Sequence, residues 1–177
     1  MKKINIRQMT LISLFAALTA VGAFISIPIG PVPITLQTLF TLLAAMTLGS
    51  VMGASSQIIY VLLGIVGLPV FAGFKAGIGI LFGPTGGFLF GFIISAYIIG
   101  KIIELKKEKN IFYYFLAGLI GTLIIYILGV TQLSLVTGIG IKKAIVVGML
   151  PFLPGDILKI IVASFIASKL KPIIELK

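Results

Sequence analysis

Between Arg7 and Lys75 lie 67 consecutive residues without a single charge. One helix needs only ~20 apolar residues to cross a bilayer, so this stretch holds several crossings. A chain of 177 residues that is 59% hydrophobic with a mean hydropathy of +1.27 cannot hide its apolar surface from water. It reads as an all-α integral membrane protein, a single domain over residues 1–177 with little outside the lipid.

The opening Met1-Lys2-Lys3-Ile4-Asn5-Ile6-Arg7 followed by an apolar run has the layout of a secretory signal. That run continues to Ile27 without a small-x-small cleavage site, so it reads as a first transmembrane helix over about 9–27. The prolines of Pro28-Ile29-Gly30-Pro31-Val32-Pro33 stop it and force an extended loop. From Ile34 to Leu68 a single helix of 35 residues would measure ~52 Å. It must fold back near Gly49–Gly53, giving spans 34–49 and 53–68.

Gly67-Leu68-Pro69 ends the third span, and Gly73, Gly77, Gly79 and Gly83 then mark an irregular, re-entrant loop. Further spans follow at 84–103, 111–129 (capped by Asn110) and 154–170. A polar link over 131–140 and a short apolar piece over 141–150 precede the last. Six transmembrane helices place both termini on one side. Lys2, Lys3, Arg7, Lys101, Lys106, Lys107, Lys109, Lys169, Lys171 and Lys177 fall on that side, against Lys75, Lys142 and Lys143 on the other, so the termini are expected to be cytoplasmic. The net charge of +10 sits at span ends, where it meets lipid headgroups, not nucleic acid.

With no Cys and no His, the chain has no thiolate, no imidazole base and no Cys/His metal site. Its carboxylates, Glu104, Glu108, Asp156 and Glu175, are too scattered to form a catalytic pair, which argues against an enzyme. Gly83-Pro84-Thr85-Gly86-Gly87 lacks the lysine and hydroxyl residue of a phosphate loop, so any ATP must be handled by another subunit.

Asp156, the only aspartate, opens the last apolar segment with Lys159 one turn on. A carboxylate in a span costs ~2.5–3.5 kcal/mol on insertion scales, so it is expected to be paired or to serve a ligand. Two readings stand side by side. The two residues, on one helix face, compensate each other, or Asp156 accepts from ligand N–H groups while Lys159 meets a ligand carboxylate. Lys75 is either a second cation for that acid or a solvated loop lysine. Phe71 and Phe74 either pack or stack on a ligand ring. Ala16 and Ala20 let another helix approach closely, inside the chain or in a partner.

Five segments together resemble the BioY family, the biotin-specific S component of energy-coupling-factor (ECF) transporters: Val32-Pro33-Ile34-Thr35-Leu36-Gln37-Thr38-Leu39, Gly67-Leu68-Pro69-Val70-Phe71-Ala72-Gly73, Gly83 through Phe92, Thr131-Gln132-Leu133, and Pro154-Gly155-Asp156-Ile157-Leu158-Lys159. They occur in the family's order. The resemblance implies a six-helix S component of the plasma membrane that captures biotin near the outer face as its transported substrate, with no cofactor. It implies a transmembrane coupling subunit and two ATP-binding-cassette ATPases as partners. It also implies ligand contacts at Asp156 and Lys159 and a coupling contact at Ala16 and Ala20. Gln37, Phe71 and Thr85 in the matching segments are further candidates for the ligand, as are Phe74 and Lys75, where this chain departs from the smaller or neutral polar residues that relatives often carry. An S component for thiamine or riboflavin is the alternative, and an intramembrane enzyme a remote one.

Overall fold

A computed structural model describes residues 5–106 and 110–175. Lys2, Lys3, Lys107, Glu108, Lys109 and Lys177, part of the charge pattern read above, lie outside the described residues. Helix α1 (Ile6–Phe24) begins with a reciprocal cap: Gln8 N donates to the Asn5 side chain at 2.8 Å and Asn5 N to the Gln8 side chain at 3.1 Å. Two otherwise orphaned donors are satisfied in this way.

α1 ends before the expected boundary at Ile27. Strand β1 (Ser26–Ile27) pairs antiparallel with β2 (Ile34–Thr35), Ser26 opposite Thr35. The proline segment is therefore the tip of a hairpin and not a plain loop. Residues beside prolines are held extended, and extended backbone on both sides of one turn can pair.

Helices α2 (Gln37–Leu48) and α3 (Ser50–Ile65) fold back at Gly49, whose φ of 86° suits only glycine. Residues 66–85 form the irregular loop, with one 3-10 turn at Ile78–Phe82. Then come α4 (Gly86–Leu105), α5 (Ile111–Thr137), α6 (Ile141–Gly148) and α7 (Leu153–Glu175). α5 runs straight through 131–137, where a polar link was expected after residue 129. The short apolar piece became α6, bent by 55° against α7.

This is a membrane protein. α1, α4 and α5 are each long and apolar enough to cross a bilayer, and α6 with α7 passes the same test together as a pair bent by 55°, either a broken span or a re-entrant loop. α2 and α3 are apolar but have 12 and 16 residues, short of the ~20 of a full crossing.

Two contacts gather the helix ends. Arg7 Nη2 donates to the Ile174 carbonyl at 3.1 Å, which joins the start of α1 to the end of α7. The Glu104 carboxylate, from the end of α4, accepts from Ser50 N at 2.7 Å and Ser50 Oγ at 2.9 Å, an anion at the positive end of α3. The hairpin, the 66–85 loop and the start of α7 converge at the other end.

Mid-bundle, the fully buried Gln57 knits three helices. Its amide donates to Thr19 Oγ1 and Ser56 Oγ, both at 3.2 Å, and it accepts from Thr41 Oγ1 at 3.0 Å. A buried amide so satisfied specifies packing without an unmet polar group.

Candidate functional site

α7 delivers Asp156 in its first turn, where the helix dipole favours an anion. The carboxylate is 4% exposed and Lys159 7%. Lys159 Nζ donates to Asp156 Oδ1 at 2.7 Å, and Tyr126 Oη, from α5, donates to Oδ2 at 2.5 Å. Each carboxylate oxygen thus holds one donor, and each retains a lone pair.

Both ends of this triad face a pocket at the convergent end of the bundle, also lined by Thr35, Gln37, Thr38, Phe71, Lys75 and Thr85. Phe88, Phe92 and Phe152 supply much of the apolar wall. Gln37, at the start of α2, is held from several directions: its Oε1 accepts from Thr35 Oγ1 at 2.8 Å, and its Nε2 donates to Tyr60 Oη at 2.5 Å. Tyr60 in turn donates to the Val70 carbonyl at 3.1 Å, so the hairpin, α3 and the loop are linked beneath the pocket.

Phe71 is 2% exposed, its ring edge-on to Tyr60 at 5.7 Å. It packs where a Cβ on Gly64 would stand, so α3 needs a glycine there. Phe71 N donates to the Lys75 carbonyl at 3.0 Å, a tight turn that leaves Phe71 inside and Lys75 at the exposed rim, both lining the pocket. Among the described residues no three metal-ligating side chains come together.

Six of the seven expected ligand candidates, Asp156, Lys159, Lys75, Phe71, Gln37 and Thr85, meet at this pocket. Phe74 does not. It is 66% exposed, adopts a left-handed φ of 57°, and stacks on Phe24 with centroids 4.7 Å apart. The turn after Gly73 points it away from the cavity.

Ala16 and Ala20 lie away from this pocket. They are 1% and 8% exposed and belong to the same buried cluster as Tyr60, Val61 and Phe71. Their small size lets α1 pack closely within the bundle. The small residues that α1 turns outward are Thr10, Ser13 and Ala17.

Tyr126 was missed because an uncharged residue in an apolar run raises no alarm, although a tyrosine in mid-span needs a partner for its hydroxyl. Gln132 stands in a segment quoted for the resemblance, with no role attached. Its Nε2 donates to the carbonyls of Leu81 at 2.6 Å and Gly83 at 2.9 Å.

The arrangement offers acceptor capacity on Asp156, cations on Lys159 and Lys75, and aromatic walls between. A helical membrane bundle that encloses such a pocket is a membrane-embedded binding protein for a small polar molecule. This chain belongs to the BioY family, whose model matches residues 1–175. It is 49% identical to the biotin transporter BioY of Thermotoga maritima over 165 residues, 93% of this chain and 96% of that one. Against the probable biotin transporter BioY of Pyrococcus horikoshii the identity is 44%, with the same coverage. The crystal structure of the S-component for biotin from an ECF-type ABC transporter superposes with a TM-score of 0.87 at 28% identity, covering 94% of this chain and 92% of that one.

Proposed function

We propose that this chain is the substrate-capturing S component of an ECF-type uptake transporter and that its substrate is biotin. The observation that carries the reading is the Tyr126–Asp156–Lys159 triad, buried at the wall of a pocket whose rim holds a second lysine. Biotin has a ureido ring with N–H donors and a carboxylate tail, which suits a carboxylate acceptor and two ammonium groups. In this reading Asp156 accepts from the ring, Lys159 or Lys75 meets the tail, Phe71 packs on the ligand, and Gln37 and Thr85 complete the polar lining. The names of the relatives support the same substrate.

The protein resides in the plasma membrane with both termini cytoplasmic, and the pocket opens outward. Its partners are a transmembrane coupling subunit and two ATP-binding-cassette ATPases. Biotin is cargo, and no cofactor takes part.

The test is equilibrium binding of labelled biotin to the purified protein in nanodiscs, with Asp156→Asn and Lys159→Gln alongside. Saturable binding that both substitutions weaken supports substrate and site together. No binding by folded wild-type protein removes biotin, and displacement of the label by thiamine or riboflavin moves the reading to another vitamin.

A further inference from the structure

The segment 78–85 brings Ile80 and Thr85 to the pocket wall. Leu81 is buried in the core and Thr85 is the N-cap of α4, yet few hydrogen bonds reach the segment from the rest of the bundle. Gly77 N donates to the Gly64 carbonyl at 2.7 Å where the segment begins. Beyond that point, among the described residues, the only side chain that hydrogen-bonds to it from elsewhere is Gln132, through the Leu81 and Gly83 carbonyls.

Gln132 stands on the part of α5 that continues beyond residue 129, at the height of the loop. Its own position is firm, because α5 packs on the first turns of α4 through glycines: Gly87 faces the Leu128 carbonyl and the Gln132 Cβ, and Gly129 faces the Phe88 ring. A Cβ on Gly86 would collide with the Leu81 carbonyl and the Gln132 amide. The first turn of α4 has thus been cleared to let one amide reach two carbonyls. Without it, the part-buried Leu81 carbonyl at the close of the 3-10 turn would lose its side-chain donor, and a carbonyl left unpaired away from water destabilises the segment that carries it.

We propose that Gln132 is a positioning residue, an amide latch that holds the 78–85 segment against the pocket and sets how long the ligand stays. It touches the loop and not the ligand, so it acts through Ile80 and Thr85. The proposal rests on biotin being the ligand, and the experiment separates the two ideas.

Gln132→Leu removes the donor. Gln132→Glu keeps the shape and puts a carboxylate oxygen where the N–H₂ stood, against two carbonyls. Both variants, and wild type, are examined in nanodiscs by dissociation of labelled biotin and, without ligand, by hydrogen–deuterium exchange over 76–86. Both are expected to release biotin about ten-fold faster, the worth of roughly one net hydrogen bond, with association unchanged and exchange in the segment accelerated. A purely structural role would lower the melting temperature and leave dissociation alone. Dissociation at the wild-type rate in a folded variant, or exchange unaltered over 76–86, overturns the latch. If wild type binds no biotin, the substrate reading falls, and the exchange arm still decides whether Gln132 holds the loop.

Discussion

Tyr126 on α5 donates its hydroxyl to the Oδ2 of Asp156 on α7, leaving Oδ1 to Lys159. The two readings of Asp156 that the sequence left open are therefore compatible. The ion pair compensates burial while one edge of the carboxylate still borders the pocket.

Removing that hydroxyl tests the arrangement with least disturbance. Tyr126→Phe keeps the ring in the wall and strips one donor from a charged acceptor. Hydrogen bonds to charged groups are worth about 1.5–3 kcal/mol, so biotin affinity should fall roughly ten- to hundred-fold, as read by titration in nanodiscs, while the protein stays folded.

The burial of the pair makes its two halves unequal to their sum. Asp156→Asn leaves the Lys159 ammonium without its counter-charge, and stranding one member of a buried pair destabilises by about 3–5 kcal/mol. Asp156→Asn combined with Lys159→Met should recover much of the melting temperature and none of the binding. A double variant no more stable than the single would show that the pair does not compensate burial.

Gly64 is expected to tolerate no side chain. A Cβ there meets the Phe71 ring, which must then swing toward the pocket. Overpacking of this kind costs about 1–3 kcal/mol, so Gly64→Ala should lower both thermal stability and affinity, measured by melting and by ligand titration on one preparation.

Phe74 and Phe71 should part company. Phe74→Ala loses an exposed stack on Phe24 and leaves affinity within about threefold of wild type, since surface substitutions away from special features rarely exceed ~0.5 kcal/mol. Phe71→Ala empties a buried site, a change that costs about 3–5 kcal/mol, and should abolish tight binding. Equal losses in the two variants would return Phe74 to the pocket.

The charge-free run, the breakpoints at Pro28, Gly49 and Pro69 and the Asp156–Lys159 spacing made the helical membrane fold and the heart of the site legible. What the sequence hid has physical causes. α5 looked finished at Gly129 because Thr131, Gln132, Ser134 and Thr137 read as a link. Thr131 Oγ1 and Thr137 Oγ1 each donate to the carbonyl four residues back at 2.6 Å, which lets polar residues continue an apolar helix. Alanine spacing on α1 shows that a close approach exists, not which neighbour makes it; within this chain Ala16 and Ala20 are buried in the core cluster. Consecutive left-handed φ values at Gly73 and Phe74 set Phe74 on Phe24 outside the pocket, a turn the sequence does not announce.

Gln57 carries one more consequence. The hydrogen bonds that bind α1, α2 and α3 around it are complete within the chain, whereas the Tyr126–Asp156 contact between α5 and α7 rests on a carboxylate that still has acceptor capacity facing a cavity. A ligand that donates to Asp156 would satisfy a polar group that the chain alone leaves partly unmet on the α5–α7 side of the pocket. A bound guest should therefore slow hydrogen exchange around Tyr126 and Asp156 while leaving the network around Gln57 as it is.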